Sequence, residues 1–136
     1  MRAWALRRHY NPPVQRHTLT FGQRIRPHVD VELRAAAQAE ARGSGVAFAH
    51  LERAHILGQA STVQHVRVHW HMLRWALRHR NVRECLGQIT RIIGAATKTA
   101  LGWVPAGNTG GANVSPFKPM PVPVELEALI KNETGR

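Results

Sequence analysis

The sequence predicts an all-α domain, and three observations predict it. Ser61 to Arg80, STVQHVRVHWHMLRWALRHR, repeats its apolar side chains at helical spacing. Comparable stretches on either side are separated by turn and capping residues: Gly43-Ser44-Gly45, Gly58 and Ser61-Thr62. No run shows the strict apolar/polar alternation of a half-buried strand. The arrangement that follows is two helical hairpins in tandem, a proline-rich strap and a short terminal helix.

From Met1 to Val29 the chain carries six arginines and no acidic residue, with Pro12, Pro13 and Pro27 as breaks. This predicts a basic N-terminal extension over residues 1–23, ahead of one helical domain over residues 24–136. The scattered arginines make residues 1–13 a poor secretory signal, although an Arg-rich, acid-free start superficially suits an organellar transit peptide. Asp30 is placed to cap a helix over residues 30–42, with Glu32 in its first turn. Residues 46–58 form the second helix, with Phe48, Leu51, Glu52 and His55 on one face. Ser61 or Thr62 caps the third, over 62–79, and a fourth over 82–98 carries Leu86, Ile89, Ile92 and Ile93.

Turned at about 100° per residue, the third helix collects Val63, Val66, Trp70, Leu73 and Leu77 in one apolar sector. Gln64, Arg67, His71, Arg74 and Arg78 lie opposite. His65, His69, Met72, Ala76 and His79 form a flank between the two. The expected core is therefore Trp70, Leu73 and Leu77 with Leu51 and Ile89. Beyond Gly102-Trp103, NTGGAN at 108–113 and PFKPMPVP at 116–123 exclude regular helix. They predict an extended strap gripping the hairpins through Val114, Phe117, Met120 and Val122, followed by a helix over 124–130.

Nineteen basic and eight acidic residues give a net charge of +11 and a pI near 11.7, a field that attracts phosphate, acidic proteins or anionic lipid. Sixteen of the basic residues are Arg and three are Lys, so a coding bias toward Arg competes with selection for bidentate contacts. The single cysteine, Cys85, excludes an internal disulfide and a cysteine-cage zinc site, and its spacing from Val82 and Ile89 makes it a core filler. A reducing cytoplasm is the expected compartment. No run approaches the roughly 20 apolar residues of a membrane span.

Two resemblances add to this reading. EARGSGVAFAHLERAHILGQ followed by HWHMLRWALRHRN resembles tetratricopeptide-type hairpins over about two units, with small Ala47 and Ala54 where helices approach closely. Residues 24–125 resemble a bacterial family of unknown function that shares IRPHVD at 25–30, HLERAHILGQ at 50–59, HVRVHW at 65–70 and NTGGANVSPFKPMPVP at 108–123. That resemblance implies a common fold and brings with it no catalytic residue.

The chemistry-bearing constellation is Glu52-x-x-His55 with His65-x-x-x-His69, each pair on one helical face. Antiparallel packing would gather the four around one zinc, iron or copper ion, with Met72 as an additional ligand. A di-iron centre needs a second Glu-x-x-His and two more glutamates, which the chain lacks. The first expectation is thus a non-catalytic metal-binding protein. The alternative is a helical-repeat interaction module, able to bind a protein partner or a second copy, in which these histidines are structural. A third is a weak, nonspecific nucleic-acid binder acting through Arg67, Arg74 and Arg78. NTGGAN lacks the Gly-Lys-Ser/Thr ending of a phosphate loop and reads as a tight turn.

Overall fold

The computed structural model describes residues 19–98, 101–102 and 105–135. Among these residues there are helices and no strand, in the order α1 (Phe21–Ala41), α2 (Ala47–Gly58), α3 (Thr62–Arg78), α4 (Val82–Lys98) and α5 (Val124–Thr134). No described helix is long and apolar enough to cross a membrane. The expected N-terminal extension lies, up to residue 18, outside the described residues, as does Trp103.

The first helix starts nine residues before the expected 30, at Phe21. Its cap is Thr20-x-x-Gln23, a capping box in which Thr20 Oγ1 accepts from the Gln23 N–H at 3.3 Å and Gln23 Oε1 accepts from the Thr20 N–H at 2.8 Å. Pro27 removes only the N–H that would have reached the Gln23 carbonyl, and the helix runs through it. What holds the helix is its buried stripe, Ile25, Val29, Leu33 and Ala36. Asp30 is accordingly mid-helix, paired with Arg67 of α3 at 2.6 Å rather than capping anything.

Two turns close the hairpins by one device. After α1, Gly43 takes φ +67 while Ser44 N donates to Ala39 O at 2.8 Å and Gly43 N to Glu40 O at 2.9 Å. After α3, Arg80 takes φ 51, Asn81 N donates to Ala76 O at 2.9 Å, and the Asn81 side chain then accepts from Glu84 N to start α4. α1 packs on α2 and α3 on α4, the hairpins meeting through α2 and α3. α5 docks on α1 and α2 with Leu126 fully buried. An ion-pair cluster clamps the same three helices, Arg53 reaching both Glu32 and Glu125 at 2.8 Å.

The core corrects part of the expected one. Leu51 and Leu73 are buried, but Trp70, Leu77 and Ile89 are 52%, 60% and 48% exposed. α3 turns its flank inward instead, burying His65, Val68, His69, Met72 and Ala76. α4 is inverted in the same sense: Glu84, Gln88 and Ala95 are buried with Arg91 on the same face, while Val82, Leu86, Ile89 and Ile93 face outward. The cause is the neighbour each helix meets. Between α2, α3 and α4 lies the 105–123 loop, whose backbone amides and carbonyls need polar partners.

That loop is where the strap was expected, and its grip is different. Phe117 is 66% exposed, and of the expected anchors only Val122 packs against the main core cluster. The buried part is Gly107, Asn108, Gly110 and Gly111. Asn108 Nδ2 organises it, donating to Ser115 O and Lys118 O at 2.8 Å each.

Candidate metal centre

His55 stands in the last turn of α2, and His65 and His69 stand one turn apart on the inward flank of α3. Only residues 59–61 join the helices, so the histidine-bearing ends cannot diverge. The three rings pack with centroids 4.6 to 4.9 Å apart, all three residues are buried, and one nitrogen from each lies within 4.8 Å of the others.

Partners fix two of the tautomers. His55 Nδ1 is 2.7 Å from the Asn108 carbonyl oxygen, which can only accept, so Nδ1 carries the proton. His69 Nδ1 is 2.6 Å from Gln88 Oε1. The Gln88 amide is itself oriented, because its Nε2 donates to Glu84 Oε1 at 2.6 Å and to Gly110 O at 2.9 Å. His69 Nδ1 therefore also carries its proton. Both Nε2 atoms are left with lone pairs, and they face each other at 3.2 Å.

Burial keeps the rings neutral. It depresses His55 well below the usual imidazole range, with the neighbouring His69 and His65 adding to the effect. Burial likewise lowers His69 to about 3 and His65 to about 4, and the Arg91 guanidinium pushes in the same direction at both.

The loop roofs the site through backbone. Gly110, at φ +81, lies so close that a Cβ there would fall 2.6 Å from the His55 ring, so both conformation and space require glycine. Glu84 anchors the next residues, its two oxygens accepting from the Ala112 N–H at 3.0 Å. A carboxylate, an amide and an imidazole thus run in series from Glu84 through Gln88 to His69. On the other side the histidines open on a cavity of about 200 Å³, lined also by Thr90, Arg91 and Asn108. Burial lowers the Arg91 pKa, with Glu84 opposing, and Arg91 donates to the Val114 carbonyl.

The other expected site residues lie elsewhere. Glu52 is outside the converging trio: its Oε1 faces Gly111, its carboxyl is raised by burial first and then by Glu84, and it flanks the loop rather than the imidazoles. Met72 is fully buried in the aliphatic core cluster. Arg67 pairs with Asp30, and Arg78 grips Glu40 through Nε and Nη2 at 2.8 and 2.7 Å, so both tie α3 to α1. Arg74 is exposed. Sequence reasoning did not place Asn108, Gln88, Glu84 and Arg91 at this site. For the last three a signal existed, since Glu84, Gln88 and Arg91 recur at helical spacing on one face of α4. For Asn108, whose contribution is a backbone carbonyl, no side-chain pattern marks the role.

The chain matches no curated protein and no solved structure. A family model does match it, across residues 23–130 and so over both hairpins, the roofing loop and most of α5. The chain belongs to the DUF3703 family, described as a protein of unknown function.

Proposed function

We propose that this protein binds one transition-metal ion through His55, His65 and His69. The observation that carries the reading is the pair of unprotonated Nε2 atoms facing each other at 3.2 Å. Two lone pairs at this distance repel, and burial disfavours the proton that would relieve them. A cation between them does relieve them. Two nitrogens at about 2.0–2.1 Å from a tetrahedral ion stand about 3.3 Å apart, close to the spacing present. One His65 nitrogen already lies within 4.8 Å of a nitrogen on each of the others, so a shift on the order of 1–2 Å brings it to coordination spacing. The outer partners are those a metal-binding imidazole needs, a carbonyl behind His55 and an amide oxygen backed by a carboxylate behind His69.

Three neutral imidazoles suit zinc, copper or ferrous iron, and no catalytic step is assigned to them. The test is metal content of untagged protein by mass spectrometry after incubation with each ion and desalting. One equivalent is expected, lost in His69→Ala while the far-ultraviolet circular dichroism is retained. No uptake of zinc, copper or ferrous iron by the parent protein rejects the reading.

A second reading, of a surface that binds a protein partner or another copy of the chain, is favoured by the outward apolar faces of α3 and α4. Val63, Trp70, Leu77, Val82, Leu86 and Ile93 are each more than half exposed. Light scattering at rising concentration tests the self-association arm: Trp70→Glu with Ile93→Glu is expected to reduce it.

A further inference from the structure

We infer that the cavity beside the three histidines is an oxyanion site, in which a small carboxylate, bicarbonate or phosphate ion bridges the bound metal and Arg91. The inference rests on the metal reading above and adds to it a ligand class and a fourth coordination position.

Charge carries the first part of the argument. His55, His65 and His69 are neutral ligands, so a divalent ion on them keeps its full charge, and the Arg91 guanidinium on the same cavity wall brings the total to roughly three positive charges. Such a concentration of like charge at a half-buried site is an attractive field for an anion. Glu84, whose charge favours the protonated Arg91, offsets one of these charges and leaves an excess of about two. Glu84 is occupied by the Ala112 N–H and the Gln88 amide, Glu52 faces Gly111, and no ion pair among the described residues includes Arg91.

Geometry carries the second part. Three protein ligands leave one position of a tetrahedral ion open, and here the histidines border a space of about 200 Å³. Water in the liquid takes about 30 Å³, so the space accommodates an oxyanion of four or five heavy atoms. Arg91 enters from α4, on the same helical face as Glu84 and Gln88, and one of its nitrogens is held by the Val114 carbonyl. That contact steadies the guanidinium and leaves other N–H donors for an anion oxygen. The oxyanion displaces water from the metal, with one oxygen on the ion and another on Arg91.

Cobalt(II) replaces the native ion as a spectroscopic reporter. The full-length protein, loaded with one equivalent of cobalt, is titrated separately with acetate, bicarbonate and inorganic phosphate, and the visible ligand-field bands are followed. Saturable band shifts with at least one anion are expected, with Kd raised tenfold or more in Arg91→Met and largely restored in Arg91→Lys, while cobalt stoichiometry stays at one. Failure to take up cobalt, zinc, copper or ferrous iron removes the metal reading and this inference with it. Stoichiometric uptake with bands indifferent to all three anions overturns the oxyanion site alone. Band shifts whose Kd is the same in Arg91→Met, checked as folded by circular dichroism, overturn the bridging role of Arg91.

Discussion

Between α1, α2 and α5, with the inner stripe of α3, the interior is aliphatic: Ile25, Val29, Leu33, Leu51, Leu57, Val68, Met72 and Leu126 fill it. Between α2, α3, α4 and the 105–123 loop, the buried groups are His55, His65, His69, Glu84, Gln88 and Asn108. The first region is held by removal of apolar surface from water, which is tolerant of detail. The second is held by directed hydrogen bonds, in which each buried donor depends on one acceptor. α2 and α3 belong to both, and on α3 the two regions share one buried flank, Val68 and Met72 lying beside His65 and His69. The contrast teaches that two kinds of interior adjoin on shared helices, one held by area and one by direction, so substitutions in each test whether stability and function separate.

The largest effect should come from the aliphatic side. Leu57→Ala is expected to lower the free energy of unfolding by about 2–5 kcal/mol in urea denaturation. If metal stoichiometry in the folded fraction falls as well, the two regions are not separable. On the polar side, Gln88→Leu deprives His69 Nδ1–H of its acceptor and should weaken metal binding by about 10–100-fold, measured by competition with a chromophoric chelator. An unchanged affinity would remove the Glu84–Gln88–His69 series from the site.

The pH dependence of the metal-free protein sharpens the comparison further. All three histidines have folded pKa values below 6.5, so below that pH the unfolded chain binds protons that the folded one refuses. Stability from this source is complete above 6.5 and is lost as pH falls, down to about 4 for His65 and about 3 for His69. Each histidine contributes a slope of about 1.4 kcal/mol per pH unit within its window. Urea midpoints between pH 6.5 and 5 should fall steeply in the parent and less steeply in His65→Ala; parallel slopes would show that the cluster is not the source. The smallest effect belongs to the surface: Arg78→Ala, which breaks a half-exposed pair with Glu40, should cost about 0.2–1 kcal/mol and leave metal uptake unaltered.

The same division explains what was legible in the sequence. Helix existence was, because capping and periodicity are local; the start of α1 was in the Thr20-x-x-Gln23 signal and was obscured by Pro27, whose single lost hydrogen bond the buried stripe outweighs. The convergence of His55 with His65 and His69 followed from their register and the short connection. The orientation of α3 and α4 did not follow. Periodicity reports that Trp70, Leu77 and Ile89 share faces with other apolar residues, but which face is covered depends on the partner, and here the partner is a loop rich in backbone amides. Glu52 shares a helical face with His55, yet its carboxylate lies against the loop at Gly111 and outside the converging trio.

The Asn108 carbonyl behind His55 comes from 53 residues further along the chain. The hairpins join neighbours in sequence, whereas the roof requires closure of a long loop, whose entropy must be overcome before any of its hydrogen bonds forms. Closure entropy thus favours an order of assembly, helices and hairpins first and the loop last. A chain emerging from synthesis presents His55, His65 and His69 on α2 and α3 before residues 108–112 exist to fix their tautomers. During that interval the imidazoles are solvated and free to protonate, and the distinction between a buried neutral cluster and three ordinary histidines is made by the last third of the polypeptide.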